Sequence, residues 1–447
     1  MSFLFISLLI LFSVMTILLL QGAGFSILRV GIVQFVAVSL FFFSFLGALP
    51  LFFGWDEYRV NIGVDDQVLI LKVMLFSGFT MVLFIIGAMS AKTVFSAPST
   101  LNNFNQITLN KKESLTLFFL LLFVLVIVAL YLSNISRVAL LVTLLEGAQE
   151  SASARSSMGN NFSGNYHWYS VVIHDLANII TFSFFAAYLL AKEKIYLTLF
   201  TFSFLVSSFT ALMAVEKAPF VWLLVGLFMV YVAVRGRGFY PVRKVIIFFT
   251  AIIGILVLAY VYFMGVSDVS NALSSIFSRA FAGSIMPAYY YLDFFPTHHD
   301  FLLGTSFPNP GGILPYQPYA LSKEVMNWVN PSLIEEGIVG SMPTVFWGEA
   351  YANFGYAGLI LIPFLVGFLV YVVDIFVSKL ADTPLKIGFY VWTILHYKNL
   401  AITGFSGFII DFHMVLMVFM LLGVLAISNK FRIKTRINNL HISLTDL

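Results

Sequence analysis

Residues 115–134 read LTLFFLLLFVLVIVALYLSN, twenty positions without a charge, a proline or a glycine. At a rise of ~1.5 Å per residue this run makes a helix of ~30 Å, the thickness of a bilayer's hydrocarbon core. A barrel strand alternates apolar and polar positions, which this run does not. In lipid the backbone polar groups must be satisfied inside the segment, so the run is read as a transmembrane helix. Outward from it, ten more runs of the same character cover 2–20, 31–53, 68–90, 171–191, 195–213, 219–234, 245–264, 351–376, 387–403 and 414–428. The chain of 447 residues is 60% apolar and 10% charged, against about a quarter charged in soluble domains. The sequence therefore predicts an all-α, polytopic helical bundle of about eleven spans, one membrane-embedded domain over residues 1–447. The first run lacks a basic leader and a small-residue cleavage site, so it is expected to be a retained helix.

Lys and Arg in the loops set the orientation. With the tail Lys430, Arg432, Lys434 and Arg436 inside, alternation puts Arg29, Lys92, Lys111, Lys112, Lys192, Lys194, Arg235, Arg237, Arg243, Lys244, Lys379 and Lys386 on the same side, and thus 16 of the 24 basic residues. Most acids lie on the other face. The formal charge of +3 is then the ordinary signature of cytoplasmic loops and does not point to nucleic acid. The absence of cysteine excludes disulfides and thiolate metal sites. No inverted repeat, Walker-type glycine loop or HExxH is present, which removes the simplest transporter, nucleotide and zinc-protease readings.

Two outer segments are long and unlike connectors. Residues 135–170 carry LLEGAQESASARSSMGNNFSGNYHWYS, with Arg155 among small residues and Tyr166, His167, Trp168 and Tyr169 where the next span begins. Residues 265–348 form a larger loop region. It opens on VSNALSSIFSRAFAGSIMPAYYYLDFF, expected to be an amphipathic helix with Arg279 at its middle, and passes through HHDFLLGTSFPNPGGILPYQPY. Loops of this length on a rigid scaffold are where function usually sits.

Eight basic residues remain on the outer side: Arg59, Lys72, Arg137, Arg155, Lys217, Arg279, Lys323 and Lys398. Lys217 lies in the tight junction ALMAVEKAPF, and Lys398 inside the tenth run. A cation at such a depth must pair, face a cavity or snorkel. A lipid-linked phosphate or diphosphate is one partner for Arg155, Lys217, Arg279 and Lys398, since guanidinium offers a bidentate fork and ammonium a compact charge. Pairing with outer acids is the plainer alternative. Glu349, just before the ninth run, has Asn353 one helical turn along the same face; it is either a chemical carboxylate or one that favours the helix dipole. His174 and Asp175 are a base pair or a buried hydrogen-bonded pair. Adjacent His298, His299 and Asp300 on an irregular loop do not converge easily, so no metal site is expected.

The segment SMPTVFWGEAYANFGYAG, residues 341–358, resembles the loop-to-helix junction of the O-antigen polymerases, the Wzy-type oligosaccharide repeat-unit polymerases of bacterial inner membranes. The eleven-span layout, the basic residue at the outer turn Glu216-Lys217-Ala218-Pro219 and the large loop before the third helix from the end are similar too. The spaced Arg and Gly patterns of some members do not follow Arg155 or Arg279. The resemblance implies a GT-C-like glycosyltransferase acting at the periplasmic face, without a cofactor. It implies transfer of a growing glycan from undecaprenyl diphosphate to a new unit, an undecaprenyl-diphosphate-linked oligosaccharide. A chain-length regulator and a flippase of the same pathway are implied as partners beside membrane lipid.

On that reading Arg155, Lys217, Arg279 and Lys398 hold the diphosphate, and Glu349 is the expected general base, with His298 or His174 as the alternative. Sugar contacts are expected from Tyr166, His167, Tyr290, Trp328, Trp347 and Asn353. An O-antigen ligase, or a transporter of polysaccharide or lipid carrier, are the competing readings.

Overall fold

The computed structural model describes the chain except residues 96–106, 108, 148–150, 160–161, 163–165, 265–267, 333–339 and 429–447. The basic tail 430–436 and parts of segments 135–170 and 265–348 thus lie outside the described residues. Those described are helical and irregular, with a lone bridge between Phe346 and Gly404. Ten helices among them are long and apolar enough to cross a membrane, and the chain is an all-α polytopic bundle.

The tenth run departs from expectation. It forms a helix only over Pro384–Tyr397, then a 3-10 turn over Lys398–Ala401. Fourteen residues give ~21 Å, short of a full crossing. The polar string His396, Lys398, Asn399 ends the apolar face there.

The chain divides into two compact units. Unit 1 holds residues 1–97, 273–374 and 396–411. Its spans are Ser2–Gly22, the Ile32–Phe52 stretch with a π turn at Leu40–Phe45, Gln67–Phe95 and most of Phe346–Ser378. Two of these touch through glycine. A Cβ on Gly87 would overlap the carbonyl of Phe364, and one on Gly367 would overlap the carbonyl of Phe84. Helices in lipid gain from such backbone proximity, because apolar side chains alone give no preference for protein over lipid.

The expected single amphipathic helix is two, Val269–Ala280 and Ala282–Phe294, broken at Phe281 (φ −100°, ψ −79°). The second is pinned to unit 1: Tyr289 and Tyr290 hydroxyls donate to the carbonyls of Gly63 and Ile62. The first is tied by Ser278 and Arg59, which share the Asp56 carboxylate.

Unit 2 holds residues 98–272, 375–395 and 412–447. Its spans are Lys111–Ser133, Tyr166–Ala191, Lys194–Leu212, Lys217–Arg235 and the helix opening at Val242, with Phe412–Ile427. Short helices Ala139–Leu145 and Ser151–Met158 lie between the first two. A π turn at Val171–Leu176 widens the Tyr166–Ala191 span where His174 and Asp175 sit. Such turns insert one residue and re-aim its neighbours, and they are frequent at functional sites.

Candidate functional site

In unit 1, Glu349 falls in the first turn of the Phe346–Ser378 helix and is buried, 5% exposed. Its Oε1 accepts from the hydroxyls of Ser306 (2.8 Å) and Ser406 (2.6 Å), and its Oε2 accepts from the Ser406 backbone N–H (2.9 Å). Gly404 lies against the carboxylate so closely that a Cβ there would overlap it. Asn353, one turn on as expected, is fully buried and continues the net. Its amide donates to Ser306 Oγ (2.8 Å), and its carbonyl accepts from the Gly304 N–H (2.9 Å). Glu349 and Asn353 together tie the 302–306 loop and the 404–406 turn to the head of one helix. A carboxylate with three donors on it is held as an acceptor and orders its surroundings.

The other unit 1 residues separate by burial. Trp347 has no exposed surface, and its indole N–H donates to Ser77 Oγ (3.2 Å). That places it in the core and corrects the expectation of a sugar platform, because neither ring face is open. Asn353 is corrected likewise, from sugar contact to loop positioning. Trp328 is partly exposed and meets Phe294 (ring centroids 5.3 Å), Tyr290 (6.4 Å) and His298 (4.8 Å). His298 is exposed on this aromatic cluster, and His299 stands against Tyr319 at 4.9 Å. Burial pushes the neighbouring Tyr290 hydroxyl up to about 12, so it stays a neutral donor. Arg279 is exposed in the last turn of the Val269–Ala280 helix, whereas Lys398 is buried with its Nζ donating to Asn399 Oδ1 (2.6 Å).

In unit 2, Arg155 pairs with Glu216 at the turn that leads into Lys217. Val215 adopts φ 57°, a left-handed conformation that a β-branched residue takes only under strain, and Glu216 and Lys217 follow it into the Lys217–Arg235 helix. Arg155 reaches Glu216 across 61 residues of sequence, Nη2 to Oε1 3.0 Å, with both side chains about half exposed. Lys217 sits over the Tyr260 ring at 4.6 Å. Tyr166 and His174 face each other at 3.4 Å, and Glu216 lies within electrostatic reach of both. His167 is exposed at the same helix start.

No protein-family model, curated protein or solved structure matches this chain.

Two histidine–aspartate pairs are not anticipated in the sequence, which singles out only Asp175 of their four residues. In unit 1, His396 Nε2 stands 2.7 Å from Asp411 Oδ2. In unit 2, His413 Nδ1 stands 2.6 Å from Asp175 Oδ2, and Trp392 donates its indole N–H to Asp175 Oδ1 (2.9 Å). Asp175 is therefore paired with His413 and Trp392, not with its neighbour His174. The local signal is Asp411-Phe412-His413, ionisable residues next to an apolar run, which is costly unless each finds a partner.

Proposed function

We propose that this chain is a membrane glycosyltransferase. It polymerises oligosaccharide repeat units carried on undecaprenyl diphosphate at the periplasmic face of a bacterial inner membrane. The observation that carries this reading is the strained Val215–Lys217 turn with Arg155 drawn onto it. Glu216 holds the half-exposed Arg155 guanidinium at the residue next to Lys217, and an accessible guanidinium suits a diphosphate.

The chemistry asks little else of a protein. The acceptor hydroxyl oxygen attacks the anomeric carbon of the donor glycan. The bond from that carbon to the diphosphate oxygen breaks, and the electron pair leaves with undecaprenyl diphosphate. Cations stabilise the leaving charge, and a base takes the hydroxyl proton. Within unit 1, the proton acceptor that the geometry leaves open is His298. It is exposed beside the partly open ring of Trp328, whereas the lone pairs of Glu349 are engaged by three donors. Glu349 then serves as a positioning carboxylate.

The purified chain, given lipid-linked repeat units and no nucleotide sugar, is expected to yield glycans of two or more units. Failure to lengthen any glycan, with lipid-linked units instead crossing the vesicle membrane, would replace this reading with a transporter. In cells lacking the chain, surface polysaccharide is expected to stop at one repeat unit.

A further inference from the structure

Residues 301–322, FLLGTSFPNPGGILPYQPYALS, contain no charged side chain, although they lie in a connecting segment and not in a span. A solvated segment of this length would carry about five charges at the usual quarter. Its tip, 310–315, is proline, glycine, isoleucine and leucine only, and all six residues are exposed, with Ile313 at 83%.

The tip is braced rather than loose. The Asn309 side chain donates to the carbonyls of Leu314 (2.9 Å) and Tyr316 (2.8 Å) and accepts from the Leu314 N–H (2.9 Å). Tyr316 returns its hydroxyl to the Phe307 carbonyl, and the Tyr319 N–H donates to the Thr305 carbonyl. The loop thus keeps Ile313 and Leu314 outward when it has the length to turn them in.

The base of the loop fixes its depth. Leu302 and Leu303 N–H groups donate to the carbonyls of Ala352 and Asn353 on the Phe346–Ser378 helix. Phe301 covers Gly355. Leu303 itself has φ 50° and is 78% exposed. From the next turn onward, the same helix shows the apolar side chains of a lipid-facing span: Tyr356, Ile360, Leu361 and Leu365, each more than half exposed. The base of the loop is thus held at Ala352 and Asn353, just before the exposed apolar side chains of the helix begin, the part of a span at which aromatic residues mark membrane interfaces.

We infer that segment 301–322 is a membrane-interface loop, which lays Leu303, Ile313 and Leu314 into the acyl–headgroup boundary of the leaflet on its own side. The occupant is bulk lipid. This holds whichever reaction the chain catalyses.

The chain has no native cysteine, so a single Ile313→Cys or Glu324→Cys substitution can carry a nitroxide without further change. Glu324 is an exposed charged position just beyond the uncharged run. In the purified full chain, reconstituted in nanodiscs of phosphatidylcholine and phosphatidylglycerol, collisions with dissolved oxygen should exceed those with a water-soluble nickel chelate at 313. The ratio should reverse at 324. Nickel accessibility at 313 equal to that at 324 overturns the inference. So does burial of 313 from both reagents, which would mean a contact with a second copy. Protection of 313 in native membranes but not in nanodiscs would assign the patch to a protein partner and overturn it as well.

Discussion

The Glu349 cluster of unit 1 and the Arg155–Glu216 pair of unit 2 both join segments remote in sequence, yet they spend their polar groups differently. Glu349 is buried, each oxygen is engaged, and Gly404 leaves no room beside it. Arg155 and Glu216 make one contact with about half of each side chain in solvent. A buried carboxylate with three donors on it holds structure, because removing it strands those donors away from water. A half-open ion pair contributes little to stability, so a strained backbone that presents one points to a ligand.

This contrast breaks most directly at Glu349→Ala. Ser306 and Ser406 lose their shared acceptor, and the Ser406 N–H cannot turn elsewhere; a loss of about 3 kcal/mol is expected, with low accumulation and a lowered Tm in detergent. An alanine variant as stable as the parent would show that the cluster holds nothing. Next come Arg155→Ala and Lys217→Ala, each expected to cost about a hundred-fold in polymerisation rate while Tm stays close to the parent's. A parallel fall in Tm would make the turn structural. Smaller still is Glu349→Gln. Its amide oxygen can accept from the Ser406 N–H while both serine hydroxyls rotate to accept from the amide nitrogen, so a loss of about 1 kcal/mol with activity retained is expected. Collapse of activity in a well-folded Glu349→Gln protein would return the base role to Glu349 and displace His298. Least affected should be the stability of Glu216→Gln, within about 1 kcal/mol, since the pair it dissolves is solvent-exposed.

The fold was legible because a run such as 115–134 has no second reading in water or lipid. Glu349 and Asn353 were legible as a pair because helical spacing puts them on one face, and Asn353 does bond back to the Glu349 carbonyl. Their partners were not. Ser306, Gly404 and Ser406 arrive from segments more than 40 residues away, and no local pattern announces a serine that will donate to a carboxylate. Asp175 shows the limit differently. Its neighbour His174 was the partner that adjacency in sequence suggested, but adjacent helical side chains diverge, and the distant Trp392 and His413 decide where its oxygens go. Trp347 misled for a related reason: an aromatic at the start of a span reads alike in sequence whether it faces solvent or, as here, the core.

The reciprocal contacts of Gly87 with Phe364 and of Gly367 with Phe84 bear on the genetics of this chain. Each glycine abuts a main-chain carbonyl and not a side chain, so a methyl group at either position meets an obstacle that no substitution can shrink. Trimming a neighbour, the usual route by which one mutation rescues another in a packed interior, is closed there. Second-site suppressors of Gly87→Ala or Gly367→Ala are therefore expected to map away from the contact, at changes that raise overall stability, and each should rescue both lesions alike.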